Sequence, residues 1–207
     1  MTQQLPKPPL PLSNALLKSS LVIYGAMFIV GFEICWWYHK SIQTLFGVLN
    51  VDWFLVLRVS GLGILFLTLG QYCLEDFFPS YRRLKMTFAS IFKGLNLLSV
   101  LLLAAVSSIG EEMLFRGAMQ PFLGVWLTAV IFAIMHIDPE GKLSVWTLWA
   151  LIGGIVMGLS VNATGTLWPA ILIHFGVNAI SINRVTKLAD KESLRRSNAA
   201  LLSGREP

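Results

Sequence analysis

The sequence predicts an all-α membrane protein, a polytopic bundle of transmembrane helices. Of its 207 residues, 55% are hydrophobic and only 13% are charged, and the mean hydropathy is +0.68. Soluble domains carry about 25% charged residues, so this composition is typical of a membrane protein. The apolar residues also form long runs, and a helix needs about 20 apolar residues to cross the hydrocarbon core. The sequence therefore predicts six membrane spans and one helix at the membrane surface.

The six apolar runs define the candidate spans. They cover roughly residues 19–38, 53–74, 94–117, 122–137, 143–161 and 166–184. The fourth run is short, and Gly117 and Pro121 before it predict a tight break with a partly buried turn. Residues 81–93 interleave basic and apolar side chains, which predicts an amphipathic helix on the membrane surface.

The basic residues predict the orientation. We expect residues 1–15 to be a disordered cytoplasmic tail, residues 16–184 the transmembrane domain and residues 185–207 a polar cytoplasmic tail. With both termini inside, the cytoplasmic segments hold 13 of the 16 Lys and Arg residues, which fits the positive-inside rule. The prediction is a multi-pass protein of the cell membrane, in contact with the lipid bilayer and with no nucleic-acid partner.

A pair of carboxylates at the end of the third run is the most informative polar feature. Glu111 and Glu112 are adjacent, and Arg116 follows. Ionisable groups at membrane depth cost at least a few kcal/mol each, so they persist mainly where they are paired or functional. Glu112 and Arg116 are four residues apart and face each other on a helix. Glu111 is turned about 100° away and is free to point elsewhere.

Two further polar elements lie in later apolar runs. Phe132 and His136 are one helical turn apart, and so are His174 and Asn178. Each element alone has a structural explanation, because His and Asn side chains often join membrane helices by hydrogen bonds. Three such elements on three helices, in a chain with few other buried polar residues, favour a functional site.

Together the three elements resemble the motifs of a known family. In order, they read Glu111-Glu112-x-x-x-Arg116, Phe132-x-x-x-His136 and His174-x-x-x-Asn178. They resemble the CAAX protease and bacteriocin-processing family, also called CPBP or Abi, whose members are glutamate-dependent intramembrane proteases that include type II prenyl endopeptidases. The resemblance covers a motif core of roughly residues 95–180. Each motif is loose, but their order and their placement in the spans are specific.

The resemblance implies an enzyme, an intramembrane endopeptidase with a membrane-associated peptide or protein substrate. Glu111 and His136 are implied to hold and deprotonate a water molecule, because peptide hydrolysis needs an activated nucleophile. His174 and Asn178 are implied to donate hydrogen bonds to the oxyanion of the tetrahedral intermediate. Three supporting residues would orient this site, namely Glu112, Arg116 and Phe132.

The need for a metal stays open at this point. The resemblance favours a mechanism without metal or other cofactor, and the HExxH helix of common zinc proteases is absent. If a metal is required, Glu111, His136 and His174 are its expected ligands, since two His and one carboxylate plus water form a normal catalytic zinc site.

Two other classes of function compete with catalysis. One is a non-catalytic membrane scaffold or immunity protein that uses the polar cavity to bind a peptide. The other is a proton-coupled transporter with Glu and His as a relay. The lack of an internal repeat disfavours the transporter. Nothing in the sequence selects a prenylated substrate.

Overall fold

The computed structural model describes residues 12–39, 51–138 and 141–202, which are helical almost throughout. The helices are α1 (Leu12–His39), α2 (Trp53–Phe77), α3 (Pro79–Ile91), α4 (Leu97–Glu112), a π-helix (Met113–Met119), α5 (Gln120–Ile134), α6 (Val145–Thr164) and α7 (Trp168–Leu202). These described segments contain no strand. The predicted all-α class is confirmed.

Side-chain caps and glycine explain several helix ends. Asp52 accepts a hydrogen bond from the backbone N–H of Leu55 and caps α2, and Asn96 accepts one from Ser99 and caps α4. Gly165 ends α6 with φ 68°, a left-handed conformation that favours glycine. A helix is present where the surface helix was predicted, as α3; its position at the membrane surface stays a prediction.

Four helical stretches in the described segments are long and apolar enough to cross a membrane. They are residues 15–38, 53–77, 97–134 and 145–164. Many of their large apolar side chains are exposed, as expected for helices that face lipid. The protein is therefore a helical membrane protein. Most of the predicted sixth span, residues 168–184 of 166–184, lies in α7 but is less apolar, because His174, Asn178 and Arg184 interrupt it.

The predicted break at Gly117 and Pro121 is wrong. The backbone stays helical there, first as the π-helix and then as α5, whose first turn contains Pro121. A proline is tolerated in the first turn of a helix, so it does not end this one. The chain instead turns at Gly124, where φ is 70° and ψ is 174°. The arm after this turn, residues 125–134, is about 15 Å long and is too short to cross the membrane alone.

The last helix extends beyond its predicted end. No glycine or proline occurs between residues 177 and 203, so nothing stops α7 near residue 184. Val185 and Ala189, in the predicted polar tail, pack with Ala89 of α3 in a small apolar cluster. Residues 1–11 of the predicted N-terminal tail and 203–207 of the C-terminal one lie outside the described residues.

Candidate active site

The turn at Gly124 brings the first two motifs together. Glu111 lies thirteen residues before this glycine and His136 twelve residues after it, so antiparallel arms place them at the same level. Nε2 of His136 lies 3.6 Å from Oε2 of Glu111. The Glu111 side chain is buried, and that of His136 is partly exposed.

Several contacts fix the position of His136. Its Nδ1 lies 2.8 Å from the carbonyl oxygen of Phe132, and Thr147 donates a hydrogen bond to its backbone carbonyl. The rings of Phe132 and Trp146 lie against the imidazole. Because a carbonyl only accepts hydrogen bonds, Nδ1 carries the hydrogen. In the neutral ring, Nε2 is then an acceptor directed at Glu111.

Glu112 connects the first motif to the third. Its Oε1 accepts hydrogen bonds from Nη1 of Arg116 at 3.0 Å and from Nδ1 of His174 at 2.7 Å. Arg116 also donates to the carbonyl of Gly154 in α6, and its guanidinium stacks over the ring of Phe132. The side chains of Glu112 and Arg116 are fully buried. The predicted pair exists, and it also fixes a histidine from α7.

His174 turns its second nitrogen toward Glu111. Nε2 of His174 lies 4.0 Å from Oε2 of Glu111, the same oxygen that faces His136. Both imidazoles therefore have Nδ1 engaged by a fixed acceptor and Nε2 directed at one carboxylate oxygen. No side chain or backbone group of the described residues donates a hydrogen bond to that oxygen.

Asn178 lies one helical turn from His174 but contacts a different helix. Its Nδ2 donates to Oγ of Ser107 at 3.0 Å, and Ser107 donates in turn to the carbonyl of Ala104. A side-chain amide has two N–H groups, so one remains for another acceptor. Asn178 and Ser107 both line the same cavity as Glu111.

The cavity has a volume of 470 Å³, which lies in the usual range of about 300–1,000 Å³ for ligand pockets. Glu111, His136 and Asn178 line one part of it, whereas His174 does not contribute to its wall. Most of the other lining side chains are apolar, among them Met27, Phe88 and Leu103. The cavity therefore suits an apolar ligand segment.

Helix α1 contributes a residue that no motif indicated. Tyr24 lines the cavity together with Glu111, and the Glu111 carboxylate acts electrostatically on its phenol. The two helices approach closely here, since a Cβ on Gly110 would lie 2.4 Å from the carbonyl oxygen of Tyr24. A Cβ on Gly31 would lie 2.8 Å from the backbone of Leu114. Small residues at helix crossings allow such contact, and this was the one signal in the sequence.

A metal site does not follow from the geometry alone. Among the side chains of residues 15–38, 51–138 and 141–191, no group of three or more His, Cys, Asp or Glu has an arrangement that suits a metal ion. Cys35 and Cys73 are both free. The fold and the cluster together define a helical membrane protein whose buried carboxylates and histidines meet beside an apolar cavity.

Comparison with known proteins finds a family that matches part of the chain. Residues 93–180 match the family described as type II CAAX prenyl endopeptidase Rce1-like. Over 92 residues the chain is 33% identical to the uncharacterized protein YpbD of Bacillus subtilis (strain 168), an alignment of 44% of this chain and 47% of that protein. The chain thus aligns with about half the length of this relative. No solved structure gives a significant match. Residues 93–180 thus match the Rce1-like family model, which confirms the resemblance in the three motifs.

Proposed function

We propose that the protein is an intramembrane endopeptidase in which Glu111 and His136 activate water. The observation that carries the proposal is the meeting of Oε2 of Glu111 and Nε2 of His136 in the wall of an apolar cavity. The Rce1-like match supports a hydrolase of the CAAX protease type. A membrane-associated peptide or protein is the proposed substrate.

The reaction uses Glu111 as the general base. A water molecule donates one hydrogen bond to the carboxylate and one to the acceptor Nε2 of His136, so a lone pair of its oxygen faces the scissile carbonyl. Glu111 takes a proton as the water oxygen bonds to the carbonyl carbon. The tetrahedral intermediate then collapses, the C–N bond breaks, and the proton on Glu111 passes to the leaving amine.

His174 and Asn178 are the proposed oxyanion donors. Asn178 retains one N–H beyond its bond to Ser107. His174 donates from Nε2 only as an imidazolium, because its Nδ1–H is directed at Glu112. Glu111, Glu112 and Arg116 together carry one net negative charge, which an imidazolium balances. Phe132 supports this arrangement by packing against both His136 and Arg116.

The proposed mechanism needs no metal. If this is right, dialysis against a strong chelator leaves peptide cleavage unchanged, whereas zinc removal from a two-His, one-carboxylate site abolishes it. Activity is measured before dialysis, after dialysis and after each divalent metal is returned. Loss of activity that zinc alone restores would assign Glu111, His136 and His174 as metal ligands.

The activity is tested by a search for cleavage products in native membranes. Peptides released in cells with the wild-type protein are compared with those in cells with Glu111→Ala, and Glu33→Ala, an exposed carboxylate of α1, is the matched control. We expect products with the wild type and the control only. If all three samples give the same peptides, the proposed protease function is wrong, and a peptide-binding scaffold or immunity function is favoured instead.

We also propose a cell-membrane location with both termini in the cytoplasm. The uneven distribution of basic residues supports this orientation. The test attaches a reporter that is active only in the cytoplasm to either terminus. Activity at both ends is the expected result, and inactivity at either end contradicts it.

A further inference from the structure

The cavity beside Glu111 reaches a second charged cluster, the outer cluster, made of Glu75, Lys85 and Arg184. Nζ of Lys85 lies 2.8 Å from Oε2 of Glu75, and Nη2 of Arg184 lies 3.0 Å from the same oxygen. The three side chains remain 19–23% exposed, so a ligand in the cavity can reach them. One carboxylate balances one of two cations, and the outer cluster keeps one net positive charge.

Two tyrosines lie beside the outer cluster: one contacts Arg184, and the other adds a hydroxyl to the cavity wall. The guanidinium of Arg184 lies 3.7 Å from the ring centroid of Tyr72, which fixes its position by a cation–π contact. Tyr81 also lines the cavity, and burial raises its pKa to about 12, with Glu75 raising it and Arg184 lowering it. The Tyr81 phenol stays neutral at physiological pH, so its hydroxyl remains a hydrogen-bond donor for an anion.

The two ends of the cavity differ in charge. Glu111 and the groups behind it, Glu112, Arg116 and a protonated His174, sum to zero, whereas the outer cluster keeps one positive charge. The wall between them is mainly apolar, with Leu84, Phe92, Leu103 and Ile182 among its residues. A ligand that fits has an apolar body and an anionic group at the end away from Glu111.

We propose that Lys85 and Arg184 form a subsite for a carboxylate of the peptide substrate. The proposal rests on the proposed peptidase function and specifies its substrate. A carboxylate there forms charge-assisted hydrogen bonds with both cations, which are stronger than neutral ones. The peptide is thereby oriented, because beside Glu111 the same carboxylate meets another carboxylate, and no lysine or arginine of the described residues lines the cavity there. The subsite sets how far the cleaved bond lies from the anionic group.

A purely structural ion pair is the alternative explanation of the outer cluster, since it also ties α2, α3 and α7 together. The two explanations differ in substrate dependence. Loss of a structural tie weakens binding of charged and neutral peptides alike. Loss of a carboxylate subsite weakens binding of the charged peptide alone.

Binding is measured with two probes, dansylated tetraleucine with a free carboxylate and its carboxamide. Fluorescence anisotropy gives Kd for the full-length Glu111→Gln protein in detergent. The acid is expected to bind about 10- to 100-fold more tightly than the amide, as for a hydrogen bond to a charged group. Adding Arg184→Gln or Lys85→Gln should reduce this difference, and Arg83→Gln, an exposed position outside the cavity, should not.

Glu75→Gln is expected to change the affinity for the acid probe in the opposite direction. It removes the carboxylate that competes for the two cations, so the acid should bind several-fold more tightly, whereas a structural role predicts weaker binding of both probes. Equal affinity for acid and amide in the starting protein, or no binding of either, overturns the subsite.

The source of the carboxylate is found with carboxamide probes in which Asp or Asn replaces one leucine. Tighter binding of the Asp probe indicates a side-chain carboxylate, and equal binding of the two indicates the C-terminal carboxylate of the peptide. Because binding is measured in a variant without the proposed base, the result is independent of catalysis. If the search for cleavage products fails but the acid probe still binds more tightly than the amide, the peptidase activity is contradicted and the carboxylate subsite is supported.

Discussion

An ion pair lies at or behind each end of the cavity: Glu112 and Arg116 behind the inner end, at Glu111, and Glu75 and Lys85 at the outer end, in the outer cluster. Glu112 and Arg116 are 0% exposed, whereas Glu75 and Lys85 are each 19% exposed. Breaking a fully buried pair leaves an uncompensated charge in a low-dielectric medium, but a partly exposed pair has water as a substitute partner. The buried ion pair at the inner end is therefore needed for stability, whereas the partly exposed pair at the outer end can separate to bind a ligand.

The two ends also differ in their relation to the family. The inner residues, from Glu111 to Asn178, all fall within the Rce1-like match of residues 93–180. Glu75, Lys85 and Arg184 fall outside it. We infer that the inner end holds the chemistry and that the outer end is where this chain distinguishes its substrates.

The largest expected effect is that of Glu111→Gln at the inner end. The change is close to isosteric and removes the proposed base, so turnover should fall about 100- to 10,000-fold while expression stays nearly intact. Cleavage of the identified peptide is compared with that of Glu33→Gln. Near wild-type cleavage by Glu111→Gln would remove Glu111 from the mechanism.

Asn178→Ala comes next, with an expected loss of about 100- to 1000-fold in kcat and little change in KM, because an oxyanion donor acts on charge that develops in the transition state. Ser107→Ala is the control, since it removes the hydrogen-bond partner of Asn178 and leaves the amide in place.

His174→Ala should lower kcat in a similar way, and the double variant with Asn178→Ala should be less than additive if the two residues act together. An equal loss in Ser107→Ala would make the link between α4 and α7 the important feature. A rise in KM alone would place Asn178 in substrate binding and support the scaffold function.

Stability tests compare the two ion pairs directly. Arg116→Ala should lower the free energy of unfolding by roughly 3–5 kcal/mol, because it leaves one of the two buried carboxylates, Glu111 and Glu112, without a balancing cation. Lys85→Ala should cost about 1 kcal/mol or less, since its pair is partly exposed. Thermal unfolding in detergent is followed for both variants and for Glu111→Gln. The comparison of the two ends fails if Arg116→Ala is as stable as the other two.

The smallest expected effect is that of Tyr24→Phe. This substitution removes the hydroxyl that interacts with Glu111 and keeps the ring, so kcat should fall about tenfold with no loss of thermal stability. Unchanged kcat would show that α1 serves only to pack against the helix that carries Glu111.

Spacing and burial explain which parts of the site the sequence predicts. Glu112 and Arg116 pair as expected because an interval of four residues fixes their relative position on a helix. The convergence of Glu111, His136 and His174 follows from the family motifs. Their roles in catalysis remain predictions.

Long-range contacts explain what the sequence does not predict. His174 pairs with Glu112, and Asn178 pairs with Ser107, through contacts that join helices distant in the chain. The turn was placed wrongly because three residues, Gly117, Pro121 and Gly124, are all plausible breaks, and only tertiary packing decides which adopts a positive φ. The contribution of Tyr24 also depends on a helix crossing, which no local pattern encodes.

Because the chain turns at Gly124, the number of residues on each side of this turn sets the relative position of Glu111 and His136. Each residue of a helix adds about 1.5 Å along the axis and about 100° of rotation. An insertion or deletion in either arm therefore slides and rotates one member of the Glu111–His136 pair away from the other. Side chains between them can vary wherever packing allows, but the number of residues cannot. In the evolution of this protein, the segment from Glu111 to His136 should accept substitutions and reject changes of length.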